Sequence, residues 1–294
     1  MIIESIKFWI TEYHIDGFRF DLGKLIDWET IELIKVEAEK INPHVFITCE
    51  PWGGGYDPNG FSDRGWSSWN DQFRNAFKGW HPDGNGGFLF GKWHHDYDFH
   101  KIQRLFMGSP RSHGGQYIDV GHSVNYLESH DDFTLGDFIK IETNLFNSES
   151  QIDDVDSHAI LSSKEISIHK LAAMVLLTSQ GPVMIAQGQE WGRSKVIASS
   201  EFSDKNVGKL DHNSYEKDNE TNWLNWKHRD ANSELVEFYK SLIRVRKESE
   251  LLRISSPEDF QFITANGSNV AIGFIISKEG ESIAVLMNSH QSDT

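Results

Sequence analysis

Asp16-Gly17-Phe18-Arg19-Phe20-Asp21 reads as a short buried strand that ends on a carboxylate, and the segments around it set the fold. Residues 3–13, just before it, have helical spacing of Ile and aromatic side chains. Residues 28–40, just after it, form an amphipathic helix in which Ile31, Leu33, Ile34, Val36 and Ala38 alternate with Glu and Lys, and Asn42-Pro43 stops it. Val45-Phe46-Ile47-Thr48-Cys49 is a second β-rich run, and it ends at Glu50. Strand, helix, strand in this order is the building unit of a parallel sheet.

Outward from this unit the pattern continues. A Gly- and Pro-rich loop fills residues 51–66, and Trp69 to Phe77 is expected to hold a short strand and the turn after it. Residues 78–122 are Gly- and His-rich, with a helix expected over Tyr97–Met107; long loops inside an α/β domain are usually functional. Ser123-Val124-Asn125-Tyr126-Leu127 is the next strand and leads into Glu128-Ser129-His130-Asp131. Residues 145–165 read as polar and flexible, Ile166–Ser179 as a helix, Gly181–Gln187 as a strand, residues 192–222 as polar loop, and residues 233–250 as a charged amphipathic helix. Beyond about residue 255, Asp259–Thr264, Val270–Ser277 and Ser282–Asn288 alternate like antiparallel strands, with turns at Asn266-Gly267 and Glu279-Gly280. Residues 1–252 are therefore assigned to an α/β domain and residues 253–294 to the start of a small antiparallel β domain.

Bulk properties narrow the function. The formal net charge of −16 opposes the phosphates of nucleic acids and anionic membranes, so neither is expected as a partner. Aromatic residues make up 12% of the 294 residues, enough to line a groove for a neutral ligand as well as to fill a core. The one cysteine, Cys49, forms no intrachain disulfide, which permits a cytoplasmic location without requiring it. Met1-Ile2-Ile3-Glu4-Ser5 does not read as a secretory leader, and no window approaches a membrane span. Neither His94-His95 nor His113 has metal-ligand spacing, so no metal and no cofactor are expected in this stretch.

Asp21, Glu50 and Asp131 each follow a strand candidate, and carboxylates at successive strand ends suit glycosidic bond cleavage through a covalent sugar–enzyme intermediate. One carboxylate must attack the anomeric carbon as the anion; the other must hold a proton for the leaving oxygen. Arg19 and Asp21 share one face of a strand, so the guanidinium favours ionised Asp21 as nucleophile. Glu50, after an apolar strand and before Pro51-Trp52, suits the acid/base, and Asp131 beside His130 is the third group.

These residues together resemble the α-amylase superfamily (glycoside hydrolase family 13). Gly17-Phe18-Arg19-Phe20-Asp21 is similar to its nucleophile motif on strand 4, Glu50-Pro51-Trp52 to its acid/base motif on strand 5, and Ser129-His130-Asp131-Asp132 to its transition-state motif on strand 7. Gly188-Gln189-Glu190-Trp191-Gly192-Arg193-Ser194, Asn213-Ser214-Tyr215 and Asp218-Asn219-Glu220 resemble the pullulanase, isoamylase and glycogen-debranching members most. The resemblance implies a partial TIM (β/α)₈ barrel, about strands 4–8, with strands 1–3 and the family's first motif expected to be absent from this sequence. It implies a retaining hydrolase of α-glucans such as starch, glycogen or pullulan, with Asp21, Glu50 and Asp131 catalytic and Arg19, His130, Trp52 and Lys24 binding substrate. Two positions depart from the debranching pattern. Lys24 resembles the Lys of plain α-amylases on the leaving-group side, and Asp132 stands where Asn is usual. A plain α-1,4-acting amylase and a non-catalytic carbohydrate-binding remnant are the alternatives.

Overall fold

The computed structural model describes residues 1–82, 84–92, 98–264 and 270–289. Its centre is a parallel sheet in sequential order: β1 (Gly17–Phe20), β2 (Phe46–Cys49), β3 (Ser67–Trp69) and β4 (Ser123–Val124). Gly17 pairs with Phe46 and Phe20 with Cys49, so β1 and β2 end level with each other. Helices connect the strands: α1 (Ile2–Tyr13) enters β1, α2 (Trp28–Glu39) returns the chain to β2, and α3 (Pro58–Asp63) returns it to β3. Between β3 and β4 lie α4 (Asp71–Phe77) and α5 (Phe99–Phe106). After β4 come α6 (Leu135–Glu142), α7 (Val155–His158) and α8 (Ser163–Leu177), then α9 (Trp226–Ala231), α10 (Ser233–Glu248) and α11 (Leu251–Ile254).

The helix starts are set by local chemistry. Asp27 accepts the Thr30 amide at 2.8 Å at the head of α2, and Asp98 accepts the Lys101 amide at 2.8 Å at the head of α5. Ser162 and Glu165 form a capping box on α8. Behind β1 and β2, Ile6 and Ile10 of α1 pack with Ile31 and Ile34 of α2 and with Ile47, Phe61 and Trp66.

Several expectations change. The strand expected within Trp69–Phe77 ends at Trp69, and α4 follows, because Asn70 accepts the Phe73 amide at 3.2 Å and caps a helix. The strand expected over Gly181–Gln187 reduces to one parallel bridge, Asn125 to Val183. Asn125 N–H donates to the Pro182 carbonyl at 2.8 Å and Met184 N–H to the Asn125 carbonyl at 2.9 Å, while Gly181 (φ 96°) and Pro182, which has no amide, keep the pairing from extending toward the start of the segment. Ser123–Leu127 keeps a ladder only at Ser123 and Val124; beyond it a buried side-chain network takes over. Asn70 Nδ2 lies 2.9 Å from Ser109 Oγ, 3.0 Å from Ser123 Oγ and 3.1 Å from Asn125 Oδ1, and Asn125 Nδ2 donates to the Gln180 carbonyl at 2.7 Å. The segment 145–165 is not all loose: it carries α7, and Ile152 and Leu161 are buried. The expected Tyr97–Met107 helix is α5; Tyr97 itself, His94-His95 and the Asn266-Gly267 turn lie outside the described residues.

The C-terminal strands β5 (Phe260–Thr264), β6 (Ala271–Lys278) and β7 (Glu281–Asn288) form an antiparallel sheet in that order. Glu279 (φ 53°) and Gly280 (φ 87°) turn β6 into β7 with the two positive φ angles of a type I′ hairpin. Ile272, Phe274 and Ile276 of β6 pack on Phe106, Leu251 and Leu252, so one apolar cluster joins this sheet to the helices.

Candidate active site

The level ends of β1 and β2 place Asp21 and Glu50 side by side, and Arg19 joins them. Its Nη1 lies 2.8 Å from Asp21 Oδ1, and its Nη2 pairs with Glu50 Oε1. The guanidinium also lies over the Trp69 ring, 4.6 Å from the centroid. Pairing of Arg19 with Asp21 follows from the strand's two-residue period; its second bond to Glu50 comes from a neighbouring strand and has no sequence signal.

The two carboxylates differ in setting. The Asp21 side chain is 70% exposed, whereas that of Glu50 is 10% exposed. Burial pushes the Glu50 carboxyl above the ordinary range. The Leu22 amide, 3.1 Å from Oε2, and the Arg19 charge pull it back, while the Asp21 charge pushes it up again. The net direction is up, as a group that must keep a proton requires.

Asp131 does not follow β4 directly. Asn125, which bridges Val183, and residues 126–130 separate it from β4, and the Asp131 amide lies 3.3 Å from Ser129 Oγ. His130 Nε2 lies 3.5 Å from Asp131 Oδ1, and its ring is 5.8 Å from that of Trp69. One ligand-type atom each of Glu50, His130 and Asp131 lie within 4.8 Å of one another, so the loop does converge on the β2 end. Among the described residues this is the one group with the chemistry to hold a metal ion, but Arg19 already neutralises Glu50. Glu128 anchors the loop from below: it is buried and accepts the Leu135 amide at 2.8 Å.

These groups open into a cavity of about 890 Å³. Arg19, Asp21, Glu50, Trp52, His130 and Asp131 all line it. Lys24 is not among the lining residues: its Nζ is 3.0 Å from Asp57 Oδ2 and sits over the Trp28 ring at 4.3 Å. Asp132 lines the cavity with φ 64°, a left-handed conformation that Asp and Asn tolerate better than other side chains, and its Oδ1 lies 3.3 Å from His81 Nδ1.

Sequence reading missed part of the lining: Trp69, Asp71, Arg74, Trp80, His81 and Tyr126. Asp71 and Arg74 share one face of α4 at a three-residue spacing, and the only signal was their position just past a β-rich Ser67-Ser68-Trp69. Trp80 and His81 lie in a loop with no periodicity to read.

Comparison with known proteins fits this arrangement. No protein-family model matches the chain. The chain is 28% identical over 276 residues to the pullulanase of Bacillus subtilis (strain 168), covering 88% of this chain and 34% of that protein. It is 27% identical over 300 residues to chloroplastic isoamylase 1 of Arabidopsis thaliana, covering 86% and 35%. Among solved structures, the pullulanase of Paenibacillus barengoltzii in complex with maltohexaose and α-cyclodextrin superimposes with a TM-score of 0.78 at 28% identity, over 98% of this chain and 43% of that one. The chain thus spans about a third of the length of the curated relatives it matches. Asp21, Glu50 and Asp131 stand around one cavity, and the homologues of the chain are pullulanases and an isoamylase.

Proposed function

We propose that this chain carries the reacting groups of a retaining glycoside hydrolase that debranches α-glucans. The observation that carries the reading is the pair Asp21 and Glu50, joined by one guanidinium at the level ends of two adjacent parallel strands, inside an aromatic-lined cavity. Similarity to pullulanases and an isoamylase supports the substrate class. The parallel sheet is taken as about strands 4–8 of a (β/α)₈ barrel, residues 1–252 as the barrel part and residues 253–294 as the start of a β domain. The sequential strand order and the extra bridge at Val183 support the barrel assignment.

In the first step an Asp21 carboxylate oxygen attacks the anomeric carbon. The bond from that carbon to the leaving oxygen breaks, and Glu50 gives its proton to that oxygen. In the second step Glu50 takes a proton from water, the water oxygen bonds to the anomeric carbon, and the Asp21 ester is released. Asp131, His130 and Arg19 hold hydroxyls and charge as the sugar flattens, and Trp52 stacks on a sugar face. The exposed setting of Asp21 beside Arg19 favours a nucleophile, and burial of Glu50 favours a proton donor. A plain α-1,4 specificity is less favoured, because Lys24 is held by Asp57 away from the cavity.

The test is reducing-sugar release from pullulan and from soluble starch. Pullulan cleavage that disappears in Asp21→Asn and in Glu50→Gln supports the reading. Cleavage of starch alone moves the assignment to an α-1,4-acting amylase, and wild-type rates in either variant overturn the assignment of roles.

A further inference from the structure

Two exposed indoles of the cavity are tied to one buried polar cluster. Trp52 donates its Nε1–H to Asp71 Oδ2 at 2.7 Å, and the Tyr126 hydroxyl donates to Asp71 Oδ1 at 2.7 Å. Arg74 donates from Nη1 to the Tyr126 hydroxyl oxygen at 2.8 Å, and its Nη2 lies 3.5 Å from Asp71 Oδ2. The same guanidinium sits over the Trp80 ring, 4.7 Å from the centroid. Asp71 and Tyr126 are buried, yet Trp52 is 37% and Trp80 46% exposed.

Trp80 is held in this place by its own backbone as well. It follows Gly79, which has φ 113° and bridges Gly86. A Cβ at Gly79 would come within 2.3 Å of the Asn85 carbonyl oxygen, so the turn that presents Trp80 admits only glycine there. A large indole left in water is unfavourable unless something covers it. Here an arginine fixes the ring, a buried carboxylate fixes the arginine, and the ring still lines the cavity.

We propose that Trp80 is a sugar-stacking residue that sets affinity for longer α-glucan chains, and that Asp71 and Arg74 are positioning residues for it. The inference rests on the α-glucan reading above. The C–H face of a glucosyl ring is apolar and matches an indole plane, and Arg74 removes the rotational freedom the indole would otherwise lose on binding.

The experiment is calorimetric titration of maltohexaose into the wild-type chain and into Trp80→Ala, Trp80→Phe, Arg74→Met and the double variant Arg74→Met/Trp80→Ala. Trp80→Ala should weaken binding about tenfold, the effect of losing one aromatic contact, and Trp80→Phe should restore most of it. Arg74→Met should weaken binding by no more than Trp80→Ala does, and the double variant should bind no worse than Trp80→Ala alone. Hydrolysis should show the change in KM with kcat unchanged. Wild-type affinity in Trp80→Ala, equal losses in the Ala and Phe variants, or additive losses in the double variant each overturn the inference while leaving the α-glucan reading intact. A wild-type chain that binds no maltohexaose overturns both. Trp80 is exposed, so its variants keep the fold, and near-identical melting curves check this.

Discussion

Two charged regions of the molecule treat their carboxylates in opposite ways. Between the helices, Lys140 of α6 pairs with Glu165 of α8, and Glu165 also accepts from the Ser162 amide at 2.8 Å. Burial raises the Glu165 carboxyl, but its bonds from Lys140 and Ser162 outweigh that and leave it below the ordinary range. At the cavity, one guanidinium serves both Asp21 and Glu50, and Glu50 ends above the ordinary range. The first region spends each charge on a neighbour and is structure. The second makes two carboxylates share one cation at the wall of a cavity and leaves the Asp21 side chain 70% exposed, the condition for a group that must bond to something else.

The largest expected effect breaks the cavity side of this comparison. Glu50→Gln should lower hydrolysis of pullulan by about 10²–10⁴-fold, the contribution of general acid–base catalysis, and Asp21→Asn should lower it at least as far. Neither should lower the melting temperature, since each removes a carboxylate from a shared cation; a loss of stability equal to the loss of rate would place these groups in the first class instead.

On the other side, Glu165→Leu leaves the Lys140 ammonium buried without its partner and should cost about 3–5 kcal/mol in denaturant unfolding. The paired change Lys140→Met/Glu165→Leu should recover most of that stability. Activity per folded molecule should not change in either variant, and a drop in kcat would show that the two regions are coupled.

Glu128, buried under the loop that carries Asp131, is a third case. Its carboxyl is pushed up to about 7, first by burial, and held from going higher by the Leu135 amide and by Lys78, Lys195 and Arg193. The unfolded chain loses that proton near the ordinary glutamate value of 4.5, so between these pH values the native state holds a proton that the unfolded state has released. Stability should therefore fall as pH rises through this window, by at most about 3 kcal/mol from this group. Glu128→Gln, which keeps an acceptor for Leu135, should flatten that part of the melting-temperature profile; an unchanged slope would assign it to other groups.

The smallest effect is a shift in a profile. Arg19 lowers the Glu50 carboxyl, so Arg19→Met should raise it further. The alkaline limb of kcat/KM, where the acid loses its proton, should then move to higher pH in whatever activity remains. A move to lower pH, or none, would mean that Glu50 is not the group that limits the alkaline side.

Much of this was legible in the sequence, and the reasons divide cleanly. Hydrophobic period and turn chemistry are local, so the β1–α2–β2 unit, the helix α10 and the Glu279-Gly280 hairpin could be read from neighbouring residues alone. The motifs around Asp21, Glu50 and Asp131 could be read because each sits beside a strand or its loop. What escaped depends on distant partners. Whether Lys24 faces a ligand or Asp57, whether Gly181–Gln187 pairs as a strand, and whether Arg19 reaches Glu50 are each decided by what another segment presents. The Asp71–Arg74–Tyr126 cluster is the fullest case. Its members come from α4 and from the loop after β4, and only folding brings the Tyr126 hydroxyl and the Trp52 indole to the same carboxylate. The sequence by itself determined which residues could do chemistry, because charge, period and turn propensity belong to the chain. Tertiary structure decided which of them share a cavity and which are used up in ion pairs, because burial and partner geometry exist only once distant segments meet.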